Sequence, residues 1–120
     1  MLGLRTYILK VSDLERAKDW YSKAFNSSPY FDQPFYVGFN IGGYELGLDP
    51  NGYDMSVKGQ NGCVYWGVDN IQQEYERLIE LGATAHEDPQ NVGGEIQVAV
   101  VLDPWENQIG LIFNPEFKIE

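Results

Sequence analysis

Thr6-Tyr7-Ile8-Leu9-Lys10-Val11-Ser12-Asp13-Leu14-Glu15 decides how this chain is read, because Cys63-Val64-Tyr65-Trp66-Gly67-Val68-Asp69-Asn70-Ile71-Gln72 returns to the same pattern, Asp69 answering Ser12 at an offset of 57. Each stretch is rich in β-branched and aromatic residues, then meets a polar pair and passes into a helical period, which predicts a strand feeding a helix. In the first copy Ser12, with Glu15 three residues on, has the form of a capping box, and Leu14, Ala17, Tyr21, Ala24 and Phe25 recur on one helix face. Asn26-Ser27-Ser28-Pro29 then stops the helix. In the second copy Asp69 and Gln72 repeat the cap, Ile71, Tyr75, Leu78 and Leu81 line the face, and Gly82 closes it.

Working outward, residues 34–41 and 44–48 flank Gly42-Gly43 and read as a hairpin. The second copy has an extended piece over 83–87, a break at Gly93-Gly94, and strands over 95–102 and 108–113 joined by the turn Asp103-Pro104-Trp105-Glu106-Asn107. Gly110 answers Gly47 at an offset of 63, so the second copy carries six extra residues, expected around 88–94. The expectation is an α+β fold of two βαβββ modules, each needing a partner to bury a sheet face, with curved mixed sheets around a concave cleft. Module 1 is drawn over 1–50, a linker over 51–61, module 2 over 62–114 and a tail over 115–120.

With 120 residues, 43% apolar and 14% aromatic, the chain suits one compact domain with a real core. No apolar run approaches the roughly 20 residues a membrane helix needs, and the first residues lack the blocks of a signal peptide, so a soluble, cytoplasmic protein is expected. Cys63 is the only cysteine, which excludes an intrachain disulfide and a thiolate metal cluster. The net charge of -10 is uneven: six basic residues face seven acidic ones in 1–60, but two face eleven in 61–120. Such a surface repels phosphate backbones and anionic headgroups, so neither nucleic acid nor membrane is an expected partner, whereas a cationic small molecule is attracted.

Two segments carry a family resemblance that spans nearly the whole chain. Val11-Ser12-Asp13-Leu14-Glu15-Arg16-Ala17-Lys18-Asp19-Trp20-Tyr21 resembles the first strand-to-helix junction of the vicinal-oxygen-chelate superfamily, which includes glyoxalase I, extradiol dioxygenases and bleomycin-resistance proteins. Asp103-Pro104-Trp105-Glu106-Asn107-Gln108-Ile109-Gly110-Leu111-Ile112 is similar to its final hairpin, commonly Asp-Pro-x-Gly-Asn before an alternating apolar strand. The resemblance implies that metal-dependent members take ligands early in the first strand and midway along the last strand of each module. Those positions here are Thr6, Gly47, Cys63 and Gly110, none of them a histidine or carboxylate, so no metal and no other cofactor is expected. An alternative metal site would have to join His86, the sole histidine, to carboxylates such as Glu45, Asp49 or Glu87; otherwise His86 is a half-exposed strand-end residue.

Strand alternation assigns faces. If Tyr7, Leu9 and Val11 meet a helix, then Thr6, Ile8 and Lys10 look into the cleft; likewise Leu46 and Leu48 pack while Glu45, Gly47 and Asp49 face inward. In the second module Val64, Trp66 and Val68 pack and Cys63, Tyr65 and Gly67 face inward, as do Gln108, Gly110 and Ile112 on the last strand. The glycines Gly47, Gly67 and Gly110 are expected to open space, Ile8, Tyr65 and Ile112 to supply an apolar and aromatic lining, and Glu45 or Asp49 to anchor a polar group. Glu45 and Asp49 read also as ordinary solvated strand-end carboxylates, Cys63 as a small buried apolar filler and not a nucleophile, and Trp105 as a cover for the cleft, a subunit contact or a local packing residue.

The function carried forward is metal-free binding of a cationic or aromatic small molecule, similar to sequestration by bleomycin-resistance proteins. The alternative is a glyoxalase-like lyase, isomerase or dioxygenase using unusual metal ligands or Glu45 as a metal-independent general base, for which a raised pKa is required. A stress or regulatory module without turnover is a third class. The resemblance also implies a homodimer, for which exposed strand edges give a separate reason; pairing within one chain and swapping between two stay open.

Overall fold

The computed structural model describes residues 2, 4–54 and 63–115 and divides into two compact units, Met1–Ser56 and Val57–Glu120. Residues 55–61 of the expected linker and 116–120 of the expected tail lie outside the described residues. The first unit runs β1 (Thr6–Lys10), α1 (Leu14–Ala24), β2 (Phe31–Gln33), β3 (Tyr36–Ile41) and β4 (Tyr44–Asp49). Its sheet has the order β1-β4-β3-β2, with β1 parallel to β4 and the other pairs antiparallel. The second unit repeats this with β5 (Tyr65–Gly67), α2 (Ile71–Glu80), β6 (Thr84–Gly93), β7 (Ile96–Leu102) and β8 (Gln108–Phe113), ordered β5-β8-β7-β6. The fold is α+β, built of two βαβββ modules with mixed four-stranded sheets.

Each helix buries the apolar stripe that its period creates. On α1, Leu14, Ala17, Trp20, Tyr21 and Ala24 are buried, as are Leu9 and Val11 at β1, Val37 and Phe39 on β3, and Leu46 and Leu48 on β4. The register pairs Leu9 and Val37 with Leu48, and Phe39 with Leu46, so the sheet presents one continuous apolar face. Each fully buried leucine contributes roughly 2 kcal/mol. Trp20 joins this core, edge-on to Tyr21 with ring centroids 4.9 Å apart, although it lay outside the expected helix stripe. In the second unit Ile71, Tyr75 and Leu78 of α2 are buried, as are Ala99, Val101, Ile109 and Leu111 of the sheet. Trp105 is only 3% exposed and therefore packs locally.

Both helix caps stand one residue later than expected. Asp13, not Ser12, is extended and accepts from the Arg16 amide at 3.1 Å; Asn70, not Asp69, accepts from the Gln73 amide at 3.1 Å. The parallel ladders explain the shift. The Val11 amide donates to the Asp49 carbonyl and the Val68 amide to the Ile112 carbonyl, so the chain stays extended beyond β1 and β5 before it can turn into a helix.

The second sheet differs at its outer hairpin. Expected as a short piece followed by a break, β6 is one ten-residue strand whose pairing with β7 shifts register between Ala85 and Glu87, Glu87 and Gln90, and Asn91 and Gly93. Phe31 pairs with Gly38, seven residues on, whereas Glu87 pairs with Val100, thirteen on, which puts the six extra residues in the β6–β7 hairpin. Tyr75 of α2 ties this hairpin down by donating to Asp88 Oδ1 at 2.6 Å.

Candidate binding face

Side chains of the first sheet alternate between α1 and an open face. On the open face Thr6 pairs with Glu45, Ile8 with Gly47 and Lys10 with Asp49, while Gly38 lies across from Gly47 on the other side of β4. Ile8 is 48% exposed there. Lys10 Nζ contacts Asp49 Oδ2 at 2.7 Å, and this hydrogen bond, with one from the Asn51 amide, holds the Asp49 carboxyl below its ordinary range.

Glu45 is the centre of the face. Thr6 Oγ1 donates to Glu45 Oε1 at 3.0 Å, Tyr36 Oη donates to Oε1 at 3.1 Å, and Tyr30 Oη donates to Oε2. The Tyr30 bond, helped by Thr6 and Tyr36 against the opposing effect of burial, lowers the carboxyl pKa. The tyrosines move the other way: Tyr36 is pushed up to about 12 by burial and by Glu45, and Tyr30 rises chiefly through its bond to Glu45. Glu45 is therefore an anion at neutral pH and a poor proton acceptor, the reverse of the raised pKa a general base at this position requires.

Neither Gly47 nor Gly110 leaves the space expected of it. A Cβ at Gly47 would fall inside the Tyr36 hydroxyl and ring, and one at Gly110 would come within 2.7 Å of the Tyr65 ring and 2.8 Å of the Val64 carbonyl. Only Gly67 of the three has nothing within 4 Å. What covers the first sheet instead is aromatic. Phe31 lies 6.5 Å from Tyr30, 6.1 Å from Tyr36 and 6.1 Å from Phe35, its ring inclined to theirs by 55°, 60° and 67°. Tyr30 and Phe35 are 63% and 61% exposed. None of these four was among the expected site residues. Tyr36 was readable, since Val37 and Phe39 alternate with it toward the helix; β2 is too short to have a period.

The open face of the second sheet is less polar. Tyr65 is exposed and lies over Gly110, while Gln108 and Ile112 are half-buried beside it. Cys63 is half-buried, and burial followed by the charge of Glu87 pushes its thiol up, which suits a filler and not a nucleophile. The same burial, with Cys63 and Glu87, raises Tyr65. His86 is exposed along β6, at the register shift between Ala85 and Glu87, and not at a strand end.

A divalent centre needs about three converging nitrogen, oxygen or thiolate donors. Gly47 and Gly110 offer no side chain, the Thr6 hydroxyl is spent on Glu45, and Cys63 is held as a thiol. Among the described residues no three of His, Cys, Asp and Glu cluster so as to hold an ion. The residues at these positions do not fit the metal used by relatives of this fold.

Two βαβββ modules in one chain define a class of fold, and the sequence falls within it: residues 3–111 match the model of the Glyoxalase/Bleomycin resistance protein/Dioxygenase superfamily, and the chain belongs to that superfamily. Among solved structures it is similar to a glyoxalase-related enzyme from Fulvimarina pelagi, with a TM-score of 0.82 at 18% identity over 100% of this chain and 94% of that one. It is also similar to a superfamily member from Sphaerobacter thermophilus, at 0.75 and 20% over 95% and 98%, and to TioX from Micromonospora sp. ML1, at 0.69 and 18% over 92% and 98%. Curated protein sequences give no significant match. No helix among the described residues is long and apolar enough to cross a membrane.

Proposed function

We propose that the protein binds an aromatic organic molecule on the open face of its first sheet, without a metal ion and without turnover. The observation that carries this reading is the ring cluster of exposed Tyr30, Phe31 and Phe35 with half-buried Tyr36, gathered beside an ionised carboxylate on a sheet where one family metal position, Gly47, has no side chain and the other, Thr6, is engaged with Glu45. Aromatic faces in contact with water gain from covering by a flat ligand, with stacking adding about 0.5–1.5 kcal/mol per ring pair beyond area burial. The metal-independent form of the glyoxalase-like alternative uses Glu45 as base, and the lowered pKa of that carboxyl argues against it; the form with unusual metal ligands lacks a cluster of donors among the described residues.

Ligand-detected NMR with 2-naphthylmethanol as probe tests the reading. Saturation transfer is expected with the wild type and is expected to fall strongly in Phe31→Ala; equal transfer in both proteins would overturn it. Metal analysis after dialysis against EDTA is expected to give far less than one ion per chain, and assays of hemithioacetal isomerisation and catechol cleavage, with and without added nickel, zinc or iron, are expected to be silent. A retained stoichiometric ion or measurable turnover would equally refute it. The proposal includes a homodimer, since open strand edges favour pairing; sedimentation equilibrium reads this directly.

A further inference from the structure

Glu45 presents an unusual form of negative charge. Three neutral hydroxyls, from Thr6, Tyr30 and Tyr36, already donate to its two oxygens. A carboxylate offers about four lone-pair sites, so hydrogen-bond capacity is nearly filled while the charge is undiminished. A primary ammonium or guanidinium must donate hydrogen bonds to replace those it loses from water, and here the carboxylate has about one lone-pair site left to accept them, so its other N–H groups go unmatched unless a hydroxyl is displaced. A cation with no N–H has no such requirement and needs only proximity to the charge and to polarisable surfaces.

Those surfaces stand beside the carboxylate. The hydroxyl ends of Tyr30 and Tyr36 converge on Glu45, and Phe31 bridges their rings at 6.5 and 6.1 Å with inclinations of 55° and 60°. Phe31, inclined to both tyrosine rings, and the carboxylate at the hydroxyl ends of those tyrosines form an incomplete box of aromatic surface and negative charge, and the negative faces of such rings attract cations. Gly38 makes the arrangement possible: a Cβ there would sit 2.7 Å from Glu45 Oε2 and 3.2 Å from the Tyr30 ring. Phe31 pairs directly across from Gly38, so the aromatic side and the anionic side meet over a position without a side chain.

We infer that the ligand of this face carries a quaternary or otherwise hydrogen-free cationic centre next to its aromatic group, held by Glu45, Tyr30, Phe31 and Tyr36. This rests on the binding reading above and narrows its ligand class. The uneven acidity of the chain is a separate matter, since the box lies in the half that is close to neutral: six basic against seven acidic residues over 1–60. Selectivity therefore comes from the box and not from the general field of the protein.

The test compares three probes on one aromatic frame: (2-naphthylmethyl)trimethylammonium, 2-naphthylmethylammonium and the neutral 2-naphthylmethanol, with Kd values from calorimetry or fluorescence at fixed ionic strength. The trimethylammonium probe is expected to bind roughly tenfold more tightly than either of the others. Glu45→Gln is expected to abolish its advantage over the neutral probe. Tyr30→Phe, which keeps the ring and frees an acceptor on Glu45, is expected to shift preference toward the primary ammonium. Thermal melting and circular dichroism confirm that each variant is folded, and Tyr30→Phe carries the test by itself if Glu45→Gln is not. Equal binding of all three probes, or tighter binding of the primary ammonium by wild type, would overturn the inference while leaving the aromatic face intact. Failure of all three to bind would overturn both.

Discussion

The two sheets solve the same local problem from opposite strands. In each, a glycine at the middle of the last strand, Gly47 or Gly110, is covered by a tyrosine ring. In the first sheet the ring is Tyr36 of β3; in the second it is Tyr65 of β5. The position of the first sheet that corresponds to Tyr65 is Ile8, and the register places Val98 of the second sheet where Tyr36 stands in the first. Gln108 likewise answers Glu45, and Cys63 answers Thr6. A repeated fold has thus kept its filled glycine while exchanging everything around it. The difference teaches where polar and aromatic chemistry gathers: the first sheet joins its covering tyrosine to a carboxylate and further rings, whereas Tyr65 is influenced by a half-buried thiol and the charge of Glu87.

The largest expected effect separates the two glycines by what surrounds them. A methyl group at Gly110 meets the Val64 carbonyl, which accepts the Gly110 amide at 3.0 Å in the parallel β5–β8 ladder. Backbone cannot swing aside as a ring can. Gly110→Ala is expected to cost about 3 kcal/mol, read as a lowered urea midpoint at unchanged slope. A loss under about 1 kcal/mol would mean that the ladder at β5 is looser than its register implies.

This contrast also marks how far the sequence could be read. Helix stripes, strand faces, the doubled βαβββ order and the placing of six extra residues in the outer hairpin of the second module all follow from periods and offsets, because burial of an apolar face imposes them. The caps stand one residue beyond the sequence expectation since Ser12-Asp13 and Asp69-Asn70 each offer two capping side chains, and the choice depends on how far the parallel ladder holds the chain extended. The glycines look empty in the sequence because a residue without a side chain says nothing of the neighbour that leans over it. Tyr36 reaches Gly47 diagonally from the neighbouring strand, and Tyr30 and Phe31 sit just before and on a three-residue strand with no period of its own. Glu45 was found by alternation, yet its three hydroxyl partners come from β1, from the chain just before β2, and from β3, which no linear reading brings together.

At Gly47 the obstacle is a side chain, so Gly47→Ala is expected to cost less, about 1–2 kcal/mol, by turning the Tyr36 ring out of place. The same change should free the phenol. Tyr36 is at about 12 through burial and Glu45, and Tyr75 of the second unit is at about 12 through its bond to Asp88. A raised tyrosine pKa favours the folded protein below the unfolded value of 10.0 and ceases to do so as pH climbs toward 12. Ultraviolet titration of Gly47→Ala is expected to return one phenol toward 10 and leave the Tyr75 transition high. Two unmoved high transitions would show that Tyr36 owes its shift to something other than its seat over the glycine.

The β3–β4 and β7–β8 turns extend the comparison. The first uses Gly42 and Gly43, at φ 61° and 96°, where glycine is at ease. The second places Glu106 at φ 66°, the position where the related motif commonly has glycine. A non-glycine residue in that region costs roughly 1–2 kcal/mol, partly offset by the greater freedom glycine has when unfolded. Glu106→Gly is therefore expected to stabilise the protein by about 1 kcal/mol, and a melting temperature that does not rise would show that the turn holds Glu106 through contacts made elsewhere.

Removing one hydroxyl from the box is the smallest change and the one most specific to the first sheet. Tyr30 is largely exposed, so Tyr30→Phe should leave the fold almost untouched near neutrality. Its bond is nevertheless the main cause of the lowered Glu45 pKa. A carboxyl whose folded pKa is depressed contributes stability above its unfolded value, here 4.5, and loses it as pH falls through the folded value. With the Tyr30 donor gone, the folded value moves back toward 4.5, so wild type and variant should differ slightly at pH 7 and converge as acid protonates Glu45 in both. Carbon-detected NMR of the Glu45 side chain is expected to place its midpoint at higher pH in Tyr30→Phe than in wild type, with the Asp49 midpoint unmoved because Lys10 sets it. Coincident Glu45 titrations would mean that Thr6 and Tyr36 hold the anion without help and that Tyr30 is not a third donor to it.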